Sequence, residues 1–334
     1  MDFLDDAELA EDGYEEAPTN PTAGLLGRQA RPPLRRRGPA AASSPIILKT
    51  GHILCCFAYN WGVASLERYL DELLSRGRGY LSAEEGAKAL GQSRGAFAAA
   101  AKRMMKKEKL ASPRRGFYLI VRPEDRVIGV PDPARWIDPL MKYLGIDYRV
   151  SLLRAAAFHG ASHQAAMVFQ VVAPRQLHPL QVGRQRIQFV YQAPAAFVRT
   201  NRAEWLDQIK SESGYAKVAG IELTLLDAAR YHHSVGGING AAQIVHDLGD
   251  KASPKKLSRA AAAYENSAVR RLGYLLDSFG HERQADALVP FAKKAKSVKQ
   301  LDPSVKSLIE IPDRPHERNA RWKLIINQAV EIDS

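Results

Sequence analysis

Leu66, Tyr69, Leu70, Leu73 and Leu74 recur at i, i+3, i+4, i+7 and i+8, the spacing of a helix that packs on one face, and Gly77 and Gly79 stop it. Ser82 and Glu85 then form a capping box, in which hydroxyl and carboxylate satisfy each other's free backbone donors at a helix start, and Gly91 ends this short second helix. Ser93 caps a third helix with Phe97, Ala100, Ala101 and Met104 on its inner side, while Arg94, Ala98, Lys102, Lys106 and Lys109 rise along another side. After Leu110 comes the turn-rich Ser112-Pro113-Arg114-Arg115-Gly116, and then the β-prone run Phe117–Val121, so a hairpin with arginines at its tip closes the unit. Helix, helix, helix and hairpin in this order predict a winged helix-turn-helix.

The charge of these residues suits that shape. A helix entering the major groove needs small residues near the bases and cations where it passes the phosphates. Arg94, Gly95, Ala96 and Ala98 meet the first need. The predicted DNA-binding residues are Gln92, Ser93, Arg94, Lys102, Arg103, Lys106 and Lys107 on the helix, with Arg114 and Arg115 on the hairpin. Phosphate contacts of this kind give affinity with strong salt dependence and little sequence information. The plainer alternative is a solvated basic helix.

The overall charge points the same way. The chain has 334 residues and a formal charge of +12, yet eight acids and no base lie in residues 1–16. With those eight set aside, 48 Lys and Arg face 28 of the 36 Asp and Glu, a balance of +20. A polyanionic partner is expected, with nucleic acid ahead of a membrane because no long basic amphipathic helix or lipidation signal is present.

Other chemistries find less support. Cys55 and Cys56 are adjacent and lack spaced partners for zinc, which leaves them as buried thiols. The acidic start is the opposite of a secretory signal, and Ile53–Ala58 is too short to span a bilayer, so a cytoplasmic protein is expected. Gly86 to Ser93 imitates a phosphate-binding loop but carries Gln92 where the essential Lys belongs. Gly236-Gly237-Ile238-Asn239-Gly240 lacks that Lys as well and reads as a loop. His159 and His163 are four apart, but Gly160 and Ser162 weaken a continuous helix and no Glu follows His159, so both read as structural. His232 and His233 point to different faces, and Asp227 with Arg230 reads as an i, i+3 ion pair. No cofactor, metal or catalytic residue is predicted.

The organisation follows. Residues 1–44 are acidic, then rich in Pro, Gly and Ala around Arg35-Arg36-Arg37, a flexible tail by composition. Residues 45–122 hold the winged unit, and prolines 123, 131, 133 and 139 mark a boundary before a second domain over 136–330. There, Ser151–His159, Glu222–Tyr231, Ile238–Leu248, Lys256–Tyr264, Ser267–Phe279 and Arg283–Lys294 read as helices, and Met167–Val172, Arg186–Tyr191 and Trp322–Ile326 as strands. The predicted class is α+β: an N-terminal winged helix-turn-helix followed by a mixed α/β C-terminal domain.

Several ordered segments carry a resemblance: the winged unit, Ser151–His163 followed by Val168–Val172, Glu222–Arg230, Ala268–Leu276 and Arg321–Asn327. Across residues 60–327 the chain resembles the AbiEi-type antitoxins of bacterial type IV toxin-antitoxin systems. The resemblance implies an N-terminal domain that binds inverted repeats in double-stranded promoter DNA and represses its own operon. It places the helix-turn-helix on Gln92–Lys109 and the wing on Leu110–Val121. It also implies a C-terminal antitoxin domain that opposes a nucleotidyltransferase-like toxin without a stable complex. In that domain Arg270, Arg271, Lys293 and Lys294 are the candidates for a basic surface, against a solvated helix face. Two other classes stay open: a stand-alone regulator whose second domain binds a ligand or dimerises, and a nucleic-acid-acting enzyme targeted by the winged unit.

Overall fold

The computed structural model describes residues 65–161, 168–211, 214–305 and 317–332. The predicted tail over 1–44, Cys55, Cys56 and His163 lie outside them. The leucine stripe forms α1 (Leu66–Ser75), which buries Leu66, Leu70 and Leu73 and is capped by the Ser65 hydroxyl. A short strand, β1 (Tyr80–Ser82), leads into α2 (Ala83–Ala89). The Ser82 hydroxyl accepts from the Glu85 amide at 3.1 Å as predicted. The Glu85 carboxylate does not complete the capping box, because it is held by both Nη atoms of Arg78.

Gly91 at φ +61° lets the chain turn, and Ser93 caps α3 (Arg94–Lys106), accepting from the Ala96 amide at 3.2 Å. Gly86 is a packing residue: a Cβ there would lie 2.3 Å from the Phe97 ring. That close approach sets α2 against α3. The hairpin is β2 (Leu110–Arg114) and β3 (Phe117–Ile120), with a register irregularity between Ala111 and Arg114. Pro113 sits in that irregularity, where a residue without an N–H is tolerated. β3 is the centre of the antiparallel sheet β1-β3-β2.

All four residues of β3 are buried, and alternation along the strand divides them. Tyr118 and Ile120 join a small core with Leu70, Leu81, Phe97 and Leu110. Phe117 and Leu119 join a larger core that contains Trp136, Leu140, Val171, Leu225 and Trp322. The proline-rich segment is packed as well. Val130 and Trp136 are buried, the Trp136 indole donates to the Pro131 carbonyl at 2.9 Å, and single 3-10 turns occupy Pro123–Asp125 and Pro133–Arg135.

Beyond this segment lie α4 (Ile137–Leu144) and a six-stranded mixed sheet. Its strands are β4 (Arg149–Val150), β5 (Val168–Ala173), β6 (Leu180–Val182), β7 (Gln185–Tyr191), β8 (Leu206–Ser211) and β9 (Gly214–Ala219). Their order is β6-β7-β5-β4-β9-β8, with β5 parallel to β7 and β4 parallel to β9. Between these strands run α5 (Leu152–Phe158) and α6 (Pro194–Thr200). A helical layer follows: α7 (Ile221–Arg230), α8 (Gly237–Leu248), α9 (Pro254–Ala261), α10 (Asn266–Ser278) and α11 (Glu282–Lys294). Every residue from Leu223 to Ala229 is buried, which makes α7 the central helix of this layer.

Three expectations change here. The Gly236–Gly240 segment is not a loop throughout: Gly236 and Gly237, at φ +92° and +81°, turn the chain directly into α8. Gly240 is already helical and packs so closely that a Cβ would meet the Val235 carbonyl. The helix expected over Lys256–Tyr264 begins at Pro254, the favoured first position, and ends at Ala261. The last strand is β12 (Leu324–Ile326) alone, between β10 (Lys299–Gln300) and β11 (Glu317–Asn319), because Trp322 is spent on packing against α10.

Candidate nucleic-acid interface

α3 separates core from charge. Phe97, Ala100 and Ala101 are buried, whereas Gly95, Ala96, Ala98, Ala99, Lys102, Arg103 and Lys106 are exposed. At 100° per residue, Gly95, Ala99, Lys102 and Lys106 fall on the side opposite Phe97, with Arg103 flanking them. Small side chains therefore occupy the N-terminal half of the outer face and cations the C-terminal half. Among the described residues, Lys102, Arg103 and Lys106 have no carboxylate partner.

The neighbouring predicted residues are less free. Ser93 is engaged as the cap, Gln92 is half-buried, and Arg94 pairs with Glu84 at 2.9 Å with both side chains exposed. Such a pair is worth little and exchanges readily for phosphate. Lys109 is bound to Glu67, and that hydrogen bond, with the nearby charges of Lys109 and Lys107, holds the Glu67 carboxyl below the usual range.

At the hairpin, Arg114 Nη2 donates to the His178 carbonyl at 3.1 Å. The Arg115 side chain is exposed, but its carbonyl accepts from Tyr143 Oη at 3.1 Å.

On the helices packed against the six-stranded sheet, the candidates for a basic surface divide. Arg270 and Arg271 are only 2% and 6% exposed, so both the basic surface and the solvated helix face are corrected for this pair. Arg270 Nη1 donates to the Ser297 and Lys323 carbonyls at 2.9 and 3.0 Å. Arg271 donates from Nε to Leu301 at 2.6 Å and from Nη1 to Ala229 at 2.8 Å. Their long stems lie within the fold and their guanidinium groups tie α10 to neighbouring backbone carbonyls. Lys293 and Lys294 are exposed at the end of α11.

A buried ionic cluster went unread in the sequence. Arg149 and Asp227 are fully buried and form a bidentate pair, with Nε and Nη2 each 2.8 Å from a carboxylate oxygen. Asp227 also accepts from Ser151 Oγ at 2.6 Å and Tyr264 Oη at 2.7 Å. Arg149 reaches Gln192 Oε1 at 2.9 Å. Burial alone would lower the Arg149 pKa, but the Asp227 charge outweighs it and holds the guanidinium protonated. The expected Asp227–Arg230 pair is thus corrected. Arg230 forms an ion pair instead with Glu265 at 2.6 Å, because Asp227 faces the sheet while Arg230 reaches toward the surface.

His159 Nε2 bonds the Ala219 carbonyl at 2.7 Å, and no group able to hold a metal occurs among the described residues. His232 and His233 diverge as expected, the first buried and the second exposed. His232 Nε2 lies 3.2 Å from Asp302 Oδ1, and Nδ1 is buried without a partner.

Burial and then the charge of Arg271 hold the His232 pKa below its ordinary value. Burial raises Asp302, but hydrogen bonds from Ser304 and the charge of His232 bring it below its ordinary value. The unfolded chain therefore binds protons that the folded chain refuses, and stability falls as pH drops below about 6.5, the ordinary His value. Asp302 adds a loss of the same sign in more acid solution. The urea midpoint is expected to fall between about pH 7.5 and pH 5.5, with a smaller fall for His232→Gln. An equal fall in that variant would remove His232 from the explanation.

These features define a class: three helices and a small sheet joined through a shared strand to a mixed α/β domain built on a buried Arg–Asp pair. Residues 149–278 match the family described as the AbiEi antitoxin C-terminal domain. The match bears out the resemblance to AbiEi-type antitoxins and supports an antitoxin role in a toxin-antitoxin system. The matched segment opens on Arg149 and includes Asp227 and Tyr264.

Among solved structures, the RV2827C protein from Mycobacterium tuberculosis is similar to this chain with a TM-score of 0.54 and 17% identity. The similarity covers 78% of this chain and 91% of that one, and at this identity it concerns the fold alone. No curated protein matches the chain. Among the described residues, no helix is long and apolar enough to cross a membrane.

Proposed function

We propose that the chain is the antitoxin of a type IV toxin-antitoxin system and represses its own operon from the cytoplasm, with residues 66–120 acting as a winged helix on promoter DNA. The match of residues 149–278 to the AbiEi antitoxin C-terminal domain carries the antitoxin reading. The unpartnered cations of α3 support the DNA reading. Lys102, Arg103, Lys106 and Lys107 meet phosphates, while Gln92, Ser93 and Arg94 with the small residues after them lie nearest the bases. Inverted repeats place two copies on one operator. The opposed toxin is a nucleotidyltransferase-like protein, countered without a stable complex.

Lys102→Ala with Arg103→Ala is expected to weaken promoter binding at every salt concentration and to make the salt dependence shallower by about two phosphate contacts. Fluorescence anisotropy across a salt series measures both quantities. Promoter affinity equal to that of the unaltered chain would refute the placement of the site on α3.

A further inference from the structure

We infer that the β2–β3 hairpin is a strut fixing α3 to the antitoxin domain, held by Arg114 and Tyr143 as positioning residues, so that a duplex meets α3 without contact from Arg114. This inference rests on the proposed DNA-binding role of α3.

Three independent features place the hairpin against its own chain. First, β3 has no solvent face, since Tyr118 and Ile120 enter the small core while Phe117 and Leu119 enter the large one. A strand shared by two cores cannot swing without opening both. Second, the two-residue tip is bonded through its backbone on either side. The Arg115 carbonyl accepts from Tyr143 Oη at 3.1 Å and the Gly116 carbonyl from the Ala83 amide at 2.8 Å. Gly116 stands at φ +81°, and a Cβ there would lie 2.6 Å from Tyr143 Oη. The Tyr143 ring also packs on Phe117, with centroids 5.3 Å apart. Third, the Arg114 guanidinium, which a DNA-reading wing would point outward, donates to the His178 carbonyl just before β6.

The chain after the hairpin is pinned to the same region. The Arg184 amide donates to the Ile128 carbonyl at 2.8 Å, and a Cβ built on Gly129 would lie only 3.1 Å from Gly183 Cα. α3 and the antitoxin domain are thereby joined, and DNA bound to α3 stabilises both.

The test uses the full chain and promoter DNA. In a salt titration, Arg114→Ala is expected to keep the wild-type slope and an affinity within about twofold, while Lys102→Ala loses about one phosphate contact of slope. A slope reduced by Arg114→Ala as much as by Lys102→Ala would overturn the strut. Should Lys102→Ala also leave the slope unchanged, the α3 reading fails, and melting experiments judge the strut separately.

Of the four tryptophans, Trp136, Trp205 and Trp322 lie in the large core, so tryptophan emission reports chiefly on its melting. Saturating promoter DNA is expected to raise the tryptophan-detected Tm of the unaltered chain. In the Arg114→Ala, Tyr143→Phe double variant, that DNA-dependent rise shrinks and the DNA-free chain melts at lower temperature. The DNA-free comparison holds whether or not α3 is the DNA site. An unchanged DNA-free Tm overturns the strut, as does an undiminished rise with DNA in a chain that binds it.

Discussion

Asp227→Ala is expected to destabilise the chain by about 3–5 kcal/mol, the cost of leaving one partner of a buried ion pair uncompensated. The magnitude follows from burial. Arg149 and Asp227 have no exposed side-chain surface, and the carboxylate accepts four hydrogen bonds, two of them from Arg149. Removing it leaves the Arg149 guanidinium buried with Gln192 and Thr200 as its acceptors among the described residues. Arg149→Met should cost a similar amount, since the Asp227 carboxyl would then be buried and short of two donors. Replacing both partners together, as Arg149→Met with Asp227→Leu, should recover much of either loss, because the penalty belongs to the unpaired charge. Urea midpoints at constant m measure this cycle. A loss below about 1 kcal/mol for Asp227→Ala would mean that the pair is not buried as described.

Trp322→Ala carries the second large effect, about 3–5 kcal/mol for truncation of a fully buried aromatic. The indole lies over Gly273 of α10, where a Cβ would be 2.1 Å from the ring, and its Nε1 donates to Asp277 at 2.6 Å. Arg321 bonds Asp286 at 2.5 Å and lies 3.3 Å from Asp277, closing the same contact from outside. The C-terminal segment is thus stapled across α10 by one ring. Gly273→Val should destabilise from the opposite side by crowding that ring. Thermal unfolding of both variants checks the contact, and a Trp322→Ala chain with an unaltered Tm would contradict it.

Legibility in the sequence tracked distance along the chain. The α1 stripe, the Ser82 and Ser93 caps, the Gly91 stop and the hairpin are local signals that formed near their expected places, except that α3 ends at Lys106 and leaves Lys109, expected on its charged side, beyond the helix. β4 was missed because two residues carry no period, and β8 and β9 because their alternation is weak. The direction of the hairpin tip was illegible too. Arg114 looks like any basic turn residue until a carbonyl 64 positions away takes its guanidinium.

The Arg149–Asp227 pair spans 78 positions, and a local reading gave Asp227 the nearest cation, Arg230. One signal was present: Asp227 interrupts Leu225-Leu226 and Ala228-Ala229, and a carboxylate inside an apolar run requires a buried partner. Arg270 and Arg271 misled for the same reason. They look like surface charge until carbonyls of residues 229, 297, 301 and 323 close over them.

Growth of cells expressing the neighbouring open reading frame is the most direct measurement of the proposed antitoxin role. Cells would carry that gene with the full-length chain, with its Lys102→Ala, Arg103→Ala variant, or with an empty vector, beside a promoter reporter. The expected result is rescue by both forms of the chain, with repression of the reporter only by the unaltered one. Failure of both forms to rescue growth, with the neighbour shown to be toxic, would contradict the antitoxin role and leave a stand-alone regulator as the better description.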